Sequence, residues 1–299
     1  MNGDPEAEHL AALRAEARKR ELFEVQHDGV TTRFYDQGGK LANCHRAGEF
    51  YEAEMLGRIA QLGRKGVYVD IGANVGNHTM FFAQHCPSTA VHSFEPLDFV
   101  TAILAENVSV NEVADKVVIH QFGLGERTGE VTVQMDKQTY SFGCRRLDDV
   151  FRDAALSDPL AVIKIDIEGM EVLCFRGAAR TLRRERPLIY VEANTAPELA
   201  GVRALLGKFG YRPTGLRFNA TATYEFAAIG DPVLRGAPGL PGSKRPSAVG
   251  RLLRRLFRRM PRGVAAETAA GIIGSTGQDG PELAEEVAVV DGIVVTPQI

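Results

Sequence analysis

The chain has 299 residues, 44% of them hydrophobic and 24% charged, with a net charge of −3. That is enough chain to bury a full core, with the make-up of an ordinary globular protein. No apolar run approaches the roughly 18–20 residues that span a bilayer, and Met1 to Glu6 carries no signal-like region. Cys44, Cys86, Cys144 and Cys174 lie far apart with no C-x-x-C pair. They read as reduced thiols of a cytoplasmic protein, not as a disulfide frame or a zinc site.

In chain order, residues 8–22 are rich in Ala, Leu, Arg and Glu and predict a short helix. Residues 23–35 have β-like spacing around Asp28-Gly29 and predict a hairpin. A helix opens at Phe50 and ends near Gly63; Tyr51 and Glu54 are candidate lid contacts, although packing of an amphipathic helix on the sheet accounts for them more simply. Residues 1–66 are therefore read as an N-terminal helical and hairpin lid region.

From residue 67, strands and helices alternate, which predicts a parallel α/β sheet. Strands are expected at 67–71, 90–95, 117–121, 161–166 and 188–193, and helices at 77–85, 98–111, 171–183 and 196–209. Val131-Thr132-Val133 reads as an added strand. Tyr211 to Phe218 and Thr223 to Ala227 read as an antiparallel pair that closes a seven-stranded sheet, so the domain is expected to run over 67–230.

Residues 231–262 change character. A Pro- and Gly-rich linker leads into a basic amphipathic helix at 249–260, with Val249, Leu252, Leu253, Leu256, Phe257 and Met260 on one face and Arg251, Arg254, Arg255, Arg258 and Arg259 on the other. Such a helix suits peripheral contact with an anionic membrane at the inner face; packing on the acidic α/β domain is the equal alternative. Residues 263–299 hold six acids and no Lys or Arg, and read as an acidic, flexible tail.

The most informative stretch is Val67 to Thr79. A β-branched and aromatic strand ends in Asp70, a turn follows with Gly72 and Gly76, and a helix begins. Strand, glycine turn and helix place a nucleotide-like ligand at the carboxyl edge of an open sheet. The turn lacks the middle glycine of G-x-G-x-x-G, and its entrance acid suits a cationic ligand better than a pyrophosphate. S-adenosylmethionine (SAM) is such a ligand. Glu95 ends the next strand, where a carboxylate accepts ribose hydroxyls in SAM and NAD sites alike.

These segments resemble the FkbM-type family of SAM-dependent methyltransferases. The resemblance rests on Asp70-Ile71-Gly72-Ala73-Asn74-Val75-Gly76, Phe94-Glu95-Pro96, Gly123 to Gly129, Leu147-Asp148-Asp149 and, above all, Lys164-Ile165-Asp166-Ile167-Glu168-Gly169-Met170-Glu171. It covers roughly residues 45–230. It implies a Rossmann-like, seven-stranded class I methyltransferase sheet with helices on both faces. It also implies SAM contacts from Asp70, Gly72, Asn74, Gly76, Glu95 and Asp166, and O-methylation of a saccharide or small-molecule acceptor.

Asp166 ends the fourth expected strand and is a candidate base or SAM-amino contact, with Glu168 and Lys164 beside it as further catalytic candidates. Helix capping by Asp166 or Glu168 is the plain alternative. A magnesium site from Asp166 and Glu168 with Glu192 or Asn194 is conceivable but not favoured, and no metal is assigned. His78 lies within reach of the methyl site, with a surface or helix-packing role as the plainer account, and His92 and His120 are read as structural. Arg145-Arg146 can orient an anionic or sugar substrate, with solvated charge as the default. No nucleic-acid partner is expected. The rival functions are an NAD-dependent oxidoreductase and a non-catalytic partner-binding module on the same fold.

Overall fold

A computed structural model describes residues 5–135, 138–153, 156–235, 288–290 and 293–298, all within one compact unit. The basic segment 249–260 and most of 231–262 and 263–299 lie outside the described residues. Among those described, no helix is long and apolar enough to cross a membrane.

Helix α1 (Pro5–Ala17) precedes a hairpin of β1 (Leu22–His27) and β2 (Val30–Tyr35). Asp28 and Gly29 both have positive φ, 47° and 79°, the geometry a two-residue hairpin turn requires. Helices α2 (Gly39–Arg46) and α3 (Ala53–Leu62) follow. Gly63 ends α3 at φ 58°, a left-handed cap.

The α/β core then runs β3 (Gly66–Ile71), α4 (Asn77–His85), β4 (Ser88–Phe94), α5 (Asp98–Val110) and β5 (Val117–His120). Next come β6 (Gly123–Leu124), β7 (Gly129–Met135), β8 (Gln138–Arg145), α6 (Leu147–Asp153) and β9 (Leu160–Ile165). The core closes with α7 (Glu171–Gly177), α8 (Ala179–Glu185), β10 (Leu188–Glu192), α9 (Ala196–Lys208), β11 (Tyr211–Phe218) and β12 (Thr223–Ala228). Strands β13 (Ala288–Val290) and β14 (Ile293–Gln298) end the chain.

The expected sheet is present: seven strands in the order β11-β12-β10-β9-β3-β4-β5, with β12 antiparallel to both neighbours and the other pairings parallel. The sheet is covered on both faces, and strand alternation shows how. Tyr68, Val91, Val162, Leu188 and Tyr190 pack with side chains of α3, α4 and α5. Val67, Val69, Ile163, Ile165, Ile189 and Val191 pack with those of α6 to α9. Strands buried on both faces need apolar residues at every position, which is why β3, β9 and β10 read as continuous runs.

Between β5 and β9 the chain contributes β6, β7 and β8 to a second sheet, which β14 and β13 extend to the order β13-β14-β7-β8-β6. The single strand expected at 131–133 is one arm of a hairpin, Val131 opposite Phe142 and Val133 opposite Tyr140. Its other arm, β8, has half-exposed residues and a weak pattern. The helix expected over 171–183 is two helices that meet at Ala178. Gly177 presses on the backbone of Gly125, leaving no room for a Cβ there.

Candidate active site

Beta-strand periodicity and register assemble the site. Asp70 on β3 lies opposite Lys164 on β9, and Lys164 lies opposite Tyr190 on β10. Side chains two residues apart share a face, so Asp70, Lys164, Asp166 and Glu192 gather at the carboxyl edge on the α4 side. Above that edge opens a cavity of about 690 Å³, within the roughly 300–1,000 Å³ usual for small-molecule sites.

The glycine turn forms its floor. The N–H groups of Gly72 and Ala73 both donate to the Phe94 carbonyl at 3.0 Å, which ties the turn to β4. Gly72 has φ 74°, and a Cβ there would overlap the Asp166 carbonyl. Gly76, at φ 96°, lies off the cavity wall, and a Cβ there would run into Leu104. Asn74 takes φ 51° and lines the cavity. Its side-chain oxygen accepts from the Val75 N–H and from Gln37 Nε2, both at 2.8 Å.

Glu95 stands on the cavity wall. Its two oxygens accept from the Asn74 and Leu97 N–H groups, each at 3.1 Å. Burial raises its pKa, and those two backbone donors oppose the rise. The carboxylate is thus aimed and held, with acceptor capacity left for a ligand diol. Nearby, Leu97, Phe99, Leu124, Val133, Tyr140 and Phe142 supply an apolar wall. The β7–β8 residues among them carry no sequence motif, and only the folding-over of the hairpin brings them here.

Asp70 does not line the cavity. It is fully buried beneath the turn, where Oδ2 accepts from Thr79 Oγ1 at 2.7 Å and Oδ1 lies 3.9 Å from Lys164 Nζ. Oδ1 has no hydrogen-bond partner. Lys164 reaches the cavity and also lies 3.6 Å from Asp166 Oδ2. Burial pulls the Lys164 pKa down, but Asp166, Asp70, Glu52 and Glu192 together raise it above its ordinary value, so the ammonium persists.

Asp166 and Glu192 are hydrogen-bonded and titrate apart. Burial would raise Asp166, but Lys164 and the bond from Glu192 hold it below its ordinary value. Burial and the Asp166 carboxylate push Glu192 up to about 8. One proton therefore sits on Glu192 and is shared toward an ionised Asp166. Glu168 has φ 53° and is exposed; burial of its carboxyl and the Asp166 charge raise its pKa.

Asp166, Glu168 and Glu192 bring ligand atoms within 4.8 Å of one another, close enough to take a divalent cation together. Asn194 supports Glu192 instead of joining the cluster, its Nδ2 donating to Glu192 Oε1 at 3.1 Å while its oxygen accepts from the Ala222 N–H at 3.3 Å. The 166–171 loop is not capped by Asp166 or Glu168. Instead Glu171 Oε1 accepts from the Ile167 and Gly169 N–H groups at 3.1 and 3.2 Å, and burial pushes its pKa up to about 7.

The N-terminal region supplies the remaining wall through Gln37, Gly38, Lys40, Leu41 and Tyr51. Asp36 Oδ2 lies 2.7 Å from His45 Nδ1, and His45 Nε2 lies 3.0 Å from Asn77 Oδ1. Asn77 in turn exchanges two 3.0 Å bonds with the Tyr51 backbone. Glu54 is exposed and off the cavity. His92 and His120 contact each other at 2.9 Å away from the cavity, and burial lowers His120 to about 4. Arg145 and Arg146 pair with Asp153 and Asp148 and do not reach it.

Residues 70–213 match the family model for the methyltransferase FkbM domain. Among solved structures, the chain is similar to the methyltransferase FkbM from Methylobacillus flagellatus KT, at 18% identity and a TM-score of 0.46 over 73% of this chain and 59% of that one. It is also similar to precorrin-6y C5,15-methyltransferase from Geobacter metallireducens GS-15, at 15% identity and TM-score 0.41 over 64% and 93% of the two chains. A third is M. jannaschii TYW2 in complex with AdoMet, at 13% identity and TM-score 0.37 over 70% and 88%. The chain thus spans 59% of the length of the first of these. No curated protein matches it.

Proposed function

Residues 70–213 of this chain are a methyltransferase FkbM domain, and from that premise we propose that it transfers the SAM methyl group to a hydroxyl oxygen of a saccharide or small-molecule acceptor. The Glu95 carboxylate supports an adenosine ligand most directly, and the family match favours SAM as that ligand. The carboxylate is fixed by two backbone donors at the end of the second core strand and faces the cavity. The family match leaves the NAD-dependent alternative without support.

The residues present fit SAM. Glu95 accepts the ribose hydroxyls, and the apolar wall around Leu97 and Phe142 takes the adenine. Lys164 offsets only part of the charge of Asp70 and Asp166, so the pocket floor keeps a net negative charge suited to a cationic amino acid head. When bound, SAM supplies an electrophilic methyl on a sulfonium. The protein aligns the acceptor oxygen behind that methyl, which is worth up to ~7–11 kcal/mol of the barrier. Asp166, ionised at the fourth strand end, would orient the acceptor through a hydroxyl beside the reacting one or take a hydrogen bond from the SAM ammonium.

Calorimetry with SAM and with NAD, followed by transfer of a labelled methyl group to a panel of glycans and glycosides, tests the proposal. SAM binding with label appearing as a methyl ether supports it. Binding of NAD instead, or label on nitrogen or carbon alone, removes it.

A further inference from the structure

His78 and Glu52 form a buried pair at the cavity. His78 occupies the first turn of α4, beside the glycine turn, and lines the cavity with Tyr51, Lys164 and Asp166. Its Nε2 lies 2.9 Å from Glu52 Oε2, and the two side chains are 6% and 3% exposed. Glu52 holds the N-cap position of α3 but gives that helix no side-chain cap, and its backbone takes the left-handed region at φ 62°. Residues other than glycine seldom hold that conformation unless their surroundings enforce it, and such strain gathers at functional sites. Here the strained backbone directs the carboxylate away from its own helix and toward the histidine.

An ionised carboxylate only accepts hydrogen bonds, so Nε2, 2.9 Å from Glu52 Oε2, is the donor nitrogen, and in the neutral tautomer Nδ1 is the atom with a lone pair to offer. A base oriented by a carboxylate, next to a site that must deprotonate a hydroxyl, has the arrangement general-base catalysis needs. We propose that His78, oriented by Glu52, takes the proton of the acceptor hydroxyl; this rests on the cavity being a SAM-dependent O-methylation site.

As the acceptor oxygen bonds the methyl carbon, the carbon–sulfur bond breaks and its electron pair stays on sulfur. The hydroxyl proton passes to His78 Nδ1, and the resulting imidazolium faces the Glu52 carboxylate. Asp166 and Lys164 then act as positioning groups on the far side of the acceptor. The titratable and charged groups around His78 are Glu52 and Tyr51 before α3, and Asp166 and Lys164 at the end of β9.

The test uses the full chain, labelled SAM and the same glycan and glycoside panel, together with nitrogen NMR of His78 in the complex with S-adenosylhomocysteine. His78→Asn should keep SAM affinity within about threefold and lose roughly 100-fold or more in turnover. Glu52→Gln should lose at least about tenfold in turnover, and the acid limb of the pH–rate profile should move. The NMR spectrum of the parent protein near neutral pH should show Nε2 protonated and Nδ1 bare.

His78→Asn with parental turnover overturns the proposal. So does loss of turnover only in step with SAM affinity, the mark of a structural tie. Nδ1 found protonated across the active pH range overturns it even if no panel compound is methylated. Failure of the parent protein to bind SAM strikes the O-methylation site itself, and is distinct from failure of the pair.

Discussion

Asp166 and Glu192 share one hydrogen bond at adjacent strand ends, yet their carboxyl groups shift in opposite directions, Asp166 down and Glu192 up to about 8. Lys164, 3.6 Å from Asp166, decides which of the two stays ionised. The pair is therefore a singly protonated unit of which Asp166 lines the cavity.

Stability should carry the signature of Glu192. Its pKa rises from 4.5 to about 8 on folding, so the folded chain keeps a proton that the unfolded chain releases. Stability then falls as pH climbs through that window. Asp166 runs the other way, adding stability above its unfolded value that is lost in acid. Urea unfolding of the parent and of Glu192→Gln between pH 5 and 8.5 should differ in slope. The parent should lose up to ~4 kcal/mol more than the variant over that range. Parallel curves would remove Glu192 as the source.

Glu95→Ala should weaken SAM by about ten- to a hundredfold or more, since charged hydrogen bonds contribute roughly 1.5–3 kcal/mol each. It also strips acceptors from the Asn74 and Leu97 N–H groups, so unfolding should be followed alongside calorimetry. Unchanged SAM affinity would count against the ribose role.

Gly72→Val should abolish SAM binding. A Cβ overlaps the Asp166 carbonyl and the backbone sits at φ 74°, so β3 and β9 must separate where the cavity opens. Even Gly72→Ala should cost ~2 kcal/mol or more in unfolding free energy. A fully stable Gly72→Ala variant with parental SAM affinity would refute the close approach.

Asp166→Asn should lose turnover far more than SAM affinity, a transition-state cost of about 3–5 kcal/mol. Loss of SAM affinity with turnover of the bound enzyme intact would reassign Asp166 to the SAM ammonium. Methyl transfer should survive excess chelator; its collapse, with recovery on adding magnesium, would show that Asp166, Glu168 and Glu192 hold a metal.

Much of the fold was legible in the chain. Continuous apolar runs at Val67 to Val69 and Leu188 to Val191 mark strands covered on both faces, and Asp28-Gly29 marks its hairpin because few other residues accept that turn. The same local logic singled out the turn glycines, Glu95 and Asp166, of which Gly72, Glu95 and Asp166 line the cavity. Tertiary structure decided what local pattern does not encode. Asp70 and Gly76, conspicuous in the motif, turned out to support the turn from below, held by Thr79 and pressed by Leu104. Glu52, inconspicuous in the chain, reached His78 across 26 residues. The protonation of Glu192 depends on Asp166 and on burial, terms that arise only when separate strands meet and water is excluded.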